Sequence, residues 1–305
     1  MTSSPLLVHI GYHKTATTWL QLSLFCPEHG FAQVMTHDEI FAHVVTPHEL
    51  DFDADAARAL LKNRRGQGAA GQADVVSLEA LVGQPFHGGR ESEIYARRLK
   101  EITADARILI TIREQCRMIA SVYMQYLRRG GTLSPQAFFE GEAEGGFFGF
   151  DTAHFEYDRL VRLYQSIFGP ENVLVLPQER IARDQPAAVA EIAGLAGNTV
   201  IGAWKTTARR GGIGAPEGVA WALRRINHLQ SGPAHRQPII DLGAATRLAY
   251  RATERAGKTL GLQGRPITEL ARRRFGDQFT ASNRRLAGLI GDSPDLSGYQ
   301  GLADG

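Results

Sequence analysis

The sequence predicts an α/β fold in which a central parallel sheet is covered by helices on both faces. Short aliphatic runs recur at residues 6–10 (LLVHI), 75–78 (VVSL), 108–112 (ILITI) and 173–176 (VLVL). Continuous apolar runs of this length are typical of strands that are buried on both faces. Helical patterns lie between the runs, and this alternation indicates right-handed βαβ units in a three-layer sandwich. Ligands of such folds bind at the carboxyl ends of the strands.

Two segments between the strands have clear helical periodicity. Apolar and aromatic residues of 119–127 recur at i, i+3, i+4, i+7 and i+8, and the glycine pair 130–131 can end this helix. Residues 157–168 likewise share one apolar face, and the Gly-Pro pair 169–170 stops the helix. These patterns predict one helix after the third run and another before the fourth.

The C-terminal part of the chain is predicted to be mostly helical and is strongly basic. Pro216 suits the first turn of a helix that continues through Val219, Leu223 and Ile226. Residues 205–285 contain 16 Lys/Arg and 5 Asp/Glu, whereas the net charge of the chain is only +2. Such a segment indicates an anionic partner or solvated helix faces. We expect one domain over 1–305, with a core at about 5–200 and a basic helical portion at about 205–290.

Composition indicates an ordinary globular protein. Of the 305 residues, 43% are hydrophobic and 22% charged, which is enough for a sizeable core. Cys26 and Cys116 support neither a disulfide framework nor a cysteine-rich zinc site, so we expect a cytoplasmic protein. No apolar run approaches the roughly 18 residues of a membrane span, so we expect no membrane partner. The Phe- and Gly-rich stretch 138–150 is expected to be a loop, either a lid or acceptor wall or a hydrophobically anchored connection.

The stretch GYHKTATTW, residues 11–19, joins the first predicted strand to a helix. A helix N-terminus offers unpaired N–H groups to an anion, and Lys14 with neighbouring threonines adds further donors. The nucleotide-binding pattern G-x-x-x-x-G-K-[ST] needs a glycine at the position of His13, and Val8 does not fit the pattern's first glycine. The stretch is therefore not a Walker loop, although a simple capped turn remains an alternative.

Lys14-Thr15-Ala16-Thr17-Thr18-Trp19-Leu20 resembles the 5′-phosphosulfate loop of sulfotransferases that use 3′-phosphoadenosine 5′-phosphosulfate (PAPS). The resemblance implies a P-loop-NTPase-like fold, and it implies that residues 14–19 contact PAPS or its product PAP. The family often has glycine at the position of Ala16, where a positive φ would strain alanine.

A second resemblance is a strand-end arginine followed eight residues later by a helical serine, which in this family hold the 3′-phosphate. Arg113 and Ser121 have this spacing after the run ILITI. Segment 157–184 is similar to the family's helix, FG turn and following strand. Arg209, Arg210 and Gly211 are placed like the family's late basic loop and are further candidates for the cofactor.

The family resemblance implies transfer of a sulfuryl group to a hydroxyl or amine of a small-molecule or carbohydrate acceptor. Lys14 suits the bridging oxygen where charge develops, and no metal is expected. The family uses a histidine or a glutamate as base. Glu79, directly after the run VVSL, is the preferred candidate, and His87 is the alternative.

Two other functions remain open at this point. A P-loop kinase or NTPase is opposed by His13 and by the lack of a convincing acidic strand end for Mg²⁺. A nucleic-acid binder would use the basic segment, but the sequence has no recognition motif and no interleaved aromatic residues there, so we expect no nucleic-acid partner. The acceptor is expected to contact the loops at 36–60, 82–95 and 129–152 and part of the C-terminal helices. The sequences of these regions do not identify it.

Overall fold

The computed structural model describes residues 5–141, 149–202, 204, 215–229, 231, 233–234, 242–262, 264–291, 296 and 298–302. The strands are β1 (Leu7–His9), β2 (Phe31–Gln33), β3 (Ala73–Ser77), β4 (Arg107–Ile112) and β5 (Val173–Pro177). They form one parallel sheet in the order β2-β3-β1-β4-β5. The predicted fold class is confirmed. Strand β2 was not predicted, because it is a three-residue edge strand with an exposed Gln33 and no long apolar run.

The helices follow the strands in the predicted alternation. They are α1 (Thr17–Trp19), α2 (His37–Ile40), α3 (Ala54–Lys62), α4 (Ser92–Ile102), α5 (Gln115–Arg128), α6 (Pro135–Phe139), α7 (Tyr157–Phe168), α8 (Gln178–Arg183), α9 (Gln185–Ala196), α10 (Ala220–Asn227), α11 (Ala244–Thr259), α12 (Pro266–Phe275) and α13 (Thr280–Ile290). Both predicted helices, α5 and α7, are present. Pro216 lies before a 3₁₀ turn, Glu217–Val219, and α10 begins only at Ala220, so its predicted first-turn position was wrong.

Side chains alternate between the two faces of the sheet, as buried parallel strands require. Leu7, Val75 and Leu109 belong to one apolar cluster, which includes residues of α9. Val8 and Val76 belong to a second cluster, which includes residues of α4 and α7. Both faces are therefore covered by helices, and ligands have access to the sheet at its edges.

The stretch 138–150 is not entirely a loop. Phe138 and Phe139 are the last residues of α6, and their buried rings pack against Phe150. Phe139 also packs against Phe275 of α12, with ring centroids 5.6 Å apart. This aromatic packing supports the anchored alternative for the residues that are described, whereas 142–148 lie outside them.

The C-terminal helices pack on the first part of the chain, α12 against α5 and α13 against α7. Several of their basic residues form ion pairs with it. Arg285 Nε lies 2.6 Å from Asp158 Oδ2, and Arg274 lies 3.4 Å from Glu140. Part of the positive charge of this segment is therefore neutralised within the protein.

No helix in the described ranges combines the length and the apolar character that crossing a membrane requires.

Candidate active site

The loop after β1 lies at the carboxyl edge of the sheet and stays paired with β4. The N–H groups of Ile10 and Tyr12 donate to the carbonyls of Leu109 (3.0 Å) and Thr111 (2.9 Å). A Cβ at Gly11 would lie 2.0 Å from Thr111 Oγ1. Only glycine therefore fits where the loop leaves the strand.

Two residues of this loop have left-handed backbone conformations. Lys14 has φ 64° and Ala16 has φ 67°, and no other non-glycine residue of the described chain has a positive φ. Such strain is maintained mainly where function needs a particular loop geometry. A backbone of alternating handedness aims successive N–H groups at one anion. The expected strain at Ala16 is confirmed.

A buried network holds the loop from below. His9 Nδ1 lies 2.7 Å from Ser77 Oγ, and His9 Nε2 lies 3.1 Å from Thr111 Oγ1. Thr15 Oγ1 lies 2.7 Å from Thr111 Oγ1 and donates to the carbonyl of Tyr12 at 2.5 Å. Burial lowers the pKa of His9 to about 3, so its imidazole is neutral. The Thr15 hydroxyl is thus used inside the loop, which leaves its backbone N–H as the group able to contact an anion.

The remaining loop residues divide between core and surface. Trp19 is buried, and its ring packs edge-on against Trp204 with centroids 5.7 Å apart. Thr17 is also buried, whereas Thr18 is exposed. The Trp19 ring thus anchors α1 in the core, and Thr18 presents its hydroxyl to solvent.

Lys14 is the centre of a cluster of charges. Its side chain is exposed, and its pKa is lowered by partial desolvation and by the positive charges of Arg128 and Arg113, against the effect of Glu79. Residues that follow β1, β3 and β4 therefore lie close enough to act on one another. The prediction that Glu79 and Arg113 lie at the same sheet edge as Lys14 agrees with these interactions.

Arg113 follows β4 directly and is half-buried. Desolvation lowers its pKa, Glu179 opposes this shift, and Arg117 and Arg265 add to it. Its carbonyl accepts a hydrogen bond from the Tyr157 hydroxyl at 2.7 Å. This is a cationic position that an added anion would stabilise.

Ser121 lies on helix α5, which has an arginine near Lys14 at each end. The main contacts of α5 are with α10 and α12. Arg113 precedes the first turn of α5 and Arg128 lies at its end, and the charges of both lower the pKa of Lys14. The helix therefore runs across the carboxyl edge of the sheet. Ser121 is half-buried in the middle of α5, between these two arginines in the chain, and its contact with a cofactor stays a prediction.

Glu79 and His87, the two candidate bases, have different surroundings. Glu79 begins a 3₁₀ turn after β3, and its Oε2 atom is buried without a hydrogen-bond partner in the described part of the chain. Its charge acts on both Lys14 and His13. His87 is exposed, at the end of a 3₁₀ turn, Pro85–His87. The geometry thus favours Glu79, and the identity of the base stays a prediction.

Arg128, Arg129 and Arg265 also act on this site and were not predicted from the sequence. His13 entered the prediction only as the residue that excludes a Walker loop. Arg129 and Lys14 both lower the pKa of His13. Because α5 crosses the sheet edge, its C-terminal arginines lie beside a loop about 115 positions earlier in the chain. The one sequence signal was the pair RR before Gly130. The candidates Arg209, Arg210 and Gly211 lie outside the described residues.

Within the described ranges, histidine, cysteine and carboxylate side chains do not form any group of three that could hold a metal ion.

Comparison with known proteins gave two results. No protein-family model and no curated protein sequence matches the chain. Among solved structures, the chain is similar to a sulfotransferase from Alicyclobacillus acidocaldarius, with a TM-score of 0.46, 17% identity, and coverage of 95% of this chain and 96% of that one. It is also similar to mouse sulfotransferase SULT7A1 complexed with PAP, with a TM-score of 0.42, 14% identity, and coverage of 92% and 85%. A likeness of this degree carries no argument about function, which rests on the residues described above.

Proposed function

We propose that this protein transfers a sulfuryl group from PAPS to a hydroxyl or amine of a small-molecule or carbohydrate acceptor. The observation that carries the proposal is the loop after β1, in which Lys14 and Ala16 have left-handed backbones and in which the pKa of Lys14 responds to the charges of Arg113 and Glu79. The Lys14 ammonium thus lies near a guanidinium suited to phosphate and near a carboxylate able to accept a proton. The sequence resemblance of the loop and of the pair Arg113 and Ser121 supports the same reaction.

In this proposal the loop residues bind the 5′-phosphosulfate. The N–H groups that follow Lys14 contact the 5′-phosphate, and Lys14 donates to the oxygen that bridges phosphorus and sulfur. That oxygen gains negative charge as its bond to sulfur breaks, and a preorganised cation is most effective there. Arg113 and Ser121 hold the 3′-phosphate, for which a guanidinium is suited because its donors are arranged as a fork.

Glu79 removes the acceptor's proton. The acceptor oxygen forms a bond to sulfur, the bond from sulfur to the bridging oxygen breaks, and the electron pair of that bond stays on PAP. The acceptor's proton goes to the Glu79 carboxylate. A positioned base typically contributes about 10²- to 10⁴-fold to the rate.

A single domain over 1–305 is part of the proposal, because α12 packs on α5, which carries Ser121, and α13 packs on α7. A kinase or NTPase is the second candidate, favoured by the strand-loop-helix arrangement. The left-handed Lys14 and Ala16 replace the glycine-rich segment that such enzymes use, and His13 occupies the position of a required glycine.

Ligand stabilisation distinguishes these two functions. We expect PAP to raise the melting temperature in the presence of EDTA, and we expect ATP with Mg²⁺ to leave it unchanged. The opposite result would contradict a PAPS site and favour the NTPase.

The role of Glu79 is tested by Glu79→Gln, which keeps the shape of the side chain. We expect turnover of PAPS to fall by about 10²- to 10⁴-fold with the PAP-induced stabilisation unchanged. The matched control is Glu101→Gln at an exposed position of α4, which should change neither quantity. Near-normal turnover of Glu79→Gln would assign the base to His87.

A further inference from the structure

His13 is a buried histidine of the loop after β1, and one of its ring nitrogens is unpaired within the described part of the chain. It lies between Tyr12 and Lys14 in the loop and is 7% exposed. Its Nδ1 atom is buried and has no hydrogen-bond partner among the described residues. Leaving a buried polar atom unpaired costs about 1–3 kcal/mol. Thr15, another buried polar side chain of the loop, by contrast makes hydrogen bonds to Tyr12 and Thr111.

Glu79 supplies a second unpaired atom beside it. Strands β1 and β3 pair with His9 opposite Ser77, and the N–H of Leu78 donates to the carbonyl of His9 at 3.1 Å. Glu79 therefore starts its turn next to the loop that contains His13, and its charge acts on the His13 imidazole. Its buried Oε2 can only accept a hydrogen bond when ionised, whereas an imidazole N–H can donate one.

Burial and the surrounding charges keep His13 in its neutral form. Burial lowers the pKa of His13 to about 4; Arg129 and Lys14 act in the same direction, and Glu79 opposes them. His154, which packs on the Tyr12 ring at 4.9 Å, is also buried and neutral, with a pKa of about 3 that His13 helps to lower. The His13 imidazole is therefore neutral near pH 7, and a neutral imidazole can donate one hydrogen bond.

We infer that His13 is a further catalytic residue, which binds the nucleophilic oxygen of the acceptor together with Glu79. The acceptor hydroxyl donates its hydrogen to Glu79 Oε2 and accepts a hydrogen bond from His13 Nδ1. One hydroxyl group thus satisfies both unpaired atoms. Its remaining lone pair is directed at sulfur, next to Lys14. This inference rests on the proposed sulfuryl transfer and adds the group that orients the nucleophile.

In the reaction, His13 exchanges no proton. The acceptor's O–H bond breaks and its proton goes to Glu79. The new bond joins oxygen and sulfur, and PAP leaves with the bridging oxygen held by Lys14. His13 keeps the acceptor oxygen in line, so its loss weakens both acceptor binding and alignment.

The experiment compares His13→Asn, His13→Gln and His13→Leu. The side-chain amide nitrogen of asparagine can occupy the position of the wild-type His13 Nδ1 atom. The amide nitrogen of glutamine lies one bond further out, near the position of His13 Nε2. Transfer from PAPS is measured with p-nitrophenol, N-acetylglucosamine and water as nucleophiles, and PAP binding is measured by melting temperature. We expect His13→Leu to lower kcat/KM for the nucleophile by about 10²-fold. His13→Asn should stay within about threefold of wild type, His13→Gln should resemble His13→Leu, and the PAP-induced shift should persist in all three.

Each outcome is decisive. His13→Leu with wild-type kinetics overturns the inference. Loss of the PAP-induced shift in all three variants overturns it too, because His13 would then shape the donor loop. If His13→Asn is active but its kcat/KM no longer falls at low pH, while that of Glu79→Gln still does, His13 is the base. The assignment of Glu79 as base and His13 as hydrogen-bond donor is then wrong. A wild-type protein that neither binds PAP nor transfers sulfate to any of these nucleophiles refutes the proposed function, and the inference with it.

Discussion

Replacing Ala16 by glycine tests the left-handed loop directly. Ala16 has φ 67° and ψ 15°, and it precedes α1 without a side-chain cap. An L-residue in this conformation is strained by close contact between Cβ and the backbone, and glycine is not. Ala16→Gly should therefore stabilise the protein, although glycine usually destabilises.

The size of the effect follows from two opposing contributions. The left-handed conformation costs an L-residue about 1–2 kcal/mol. Glycine raises the entropy of the unfolded chain, which costs about 0.4–1 kcal/mol. The net gain is about 0.5–1 kcal/mol. With an unfolding entropy of about 2.1 cal/mol/K per residue over 305 residues, the melting temperature should rise by about 1–2 °C.

The matched control is Ala190→Gly, at an exposed position inside α9. There the backbone is helical, and glycine should destabilise by about 1 kcal/mol. Urea unfolding at pH 7.5 measures both variants, which should change stability with opposite signs. Equal destabilisation by the two substitutions would refute the left-handed conformation of Ala16. PAP should stabilise Ala16→Gly as much as wild type, because the N–H groups keep their directions.

Three further results are expected. Gly11→Ala places a methyl group against Thr111 and His9 and should destabilise the protein by about 1–3 kcal/mol in urea unfolding. The control is Gly194→Ala in α9, where nothing in the described chain lies within 4 Å of the added methyl group, and this variant should be slightly more stable than wild type. Unchanged stability of Gly11→Ala would contradict the close approach of the loop to β4. The folded-state pKa values of His9, His13 and His154 (about 3, 4 and 3) lie below the unfolded value of 6.5, so their contribution to stability is complete above pH 6.5 and is lost as the pH falls. Between pH 7.5 and pH 5, each buried histidine should lower the free energy of unfolding by about 2 kcal/mol. A free energy of unfolding that does not decrease over this range would contradict the burial of these histidines in the neutral form. Lys14→Met should lower turnover of PAPS by about 10²-fold or more, with a smaller effect on the affinity for PAP. Single-turnover kinetics measures the first quantity and calorimetry the second. Equal losses of turnover and of PAP affinity would mean that Lys14 contributes to ground-state binding alone.

Much of the fold could be predicted because the strands are buried on both sides. Each of β1, β3, β4 and β5 has a continuous aliphatic run, and α5 and α7 have clear periodicity that ends at glycine. Strand β2 has only FAQ and lies at an edge, so its pairing with β3 depends on tertiary contacts that leave no local pattern. Pro216 satisfied a local rule for helix starts, but a 3₁₀ turn intervenes before α10.

The candidate site likewise contains residues that could be predicted from the sequence and residues that could not. Lys14, Glu79 and Arg113 could be predicted because each follows a strand, and the carboxyl ends of parallel strands share one edge. The proximity of Arg128 to Lys14 depends on the direction of α5 across that edge. The positive φ of Lys14 and the unpaired Nδ1 of His13 depend on the shape of the loop, which residue types alone do not specify.

The most direct test of the central claim is calorimetry of PAP and of adenosine 5′-monophosphate in EDTA. If Arg113 holds a 3′-phosphate, PAP should bind at least about 10²-fold more tightly than adenosine 5′-monophosphate, because hydrogen bonds between a guanidinium and an anion contribute about 1.5–3 kcal/mol each. Arg113→Met should remove most of this difference. Equal affinity for the two nucleotides in the wild-type protein would contradict a 3′-phosphate site, and with it the proposal that PAPS is the donor.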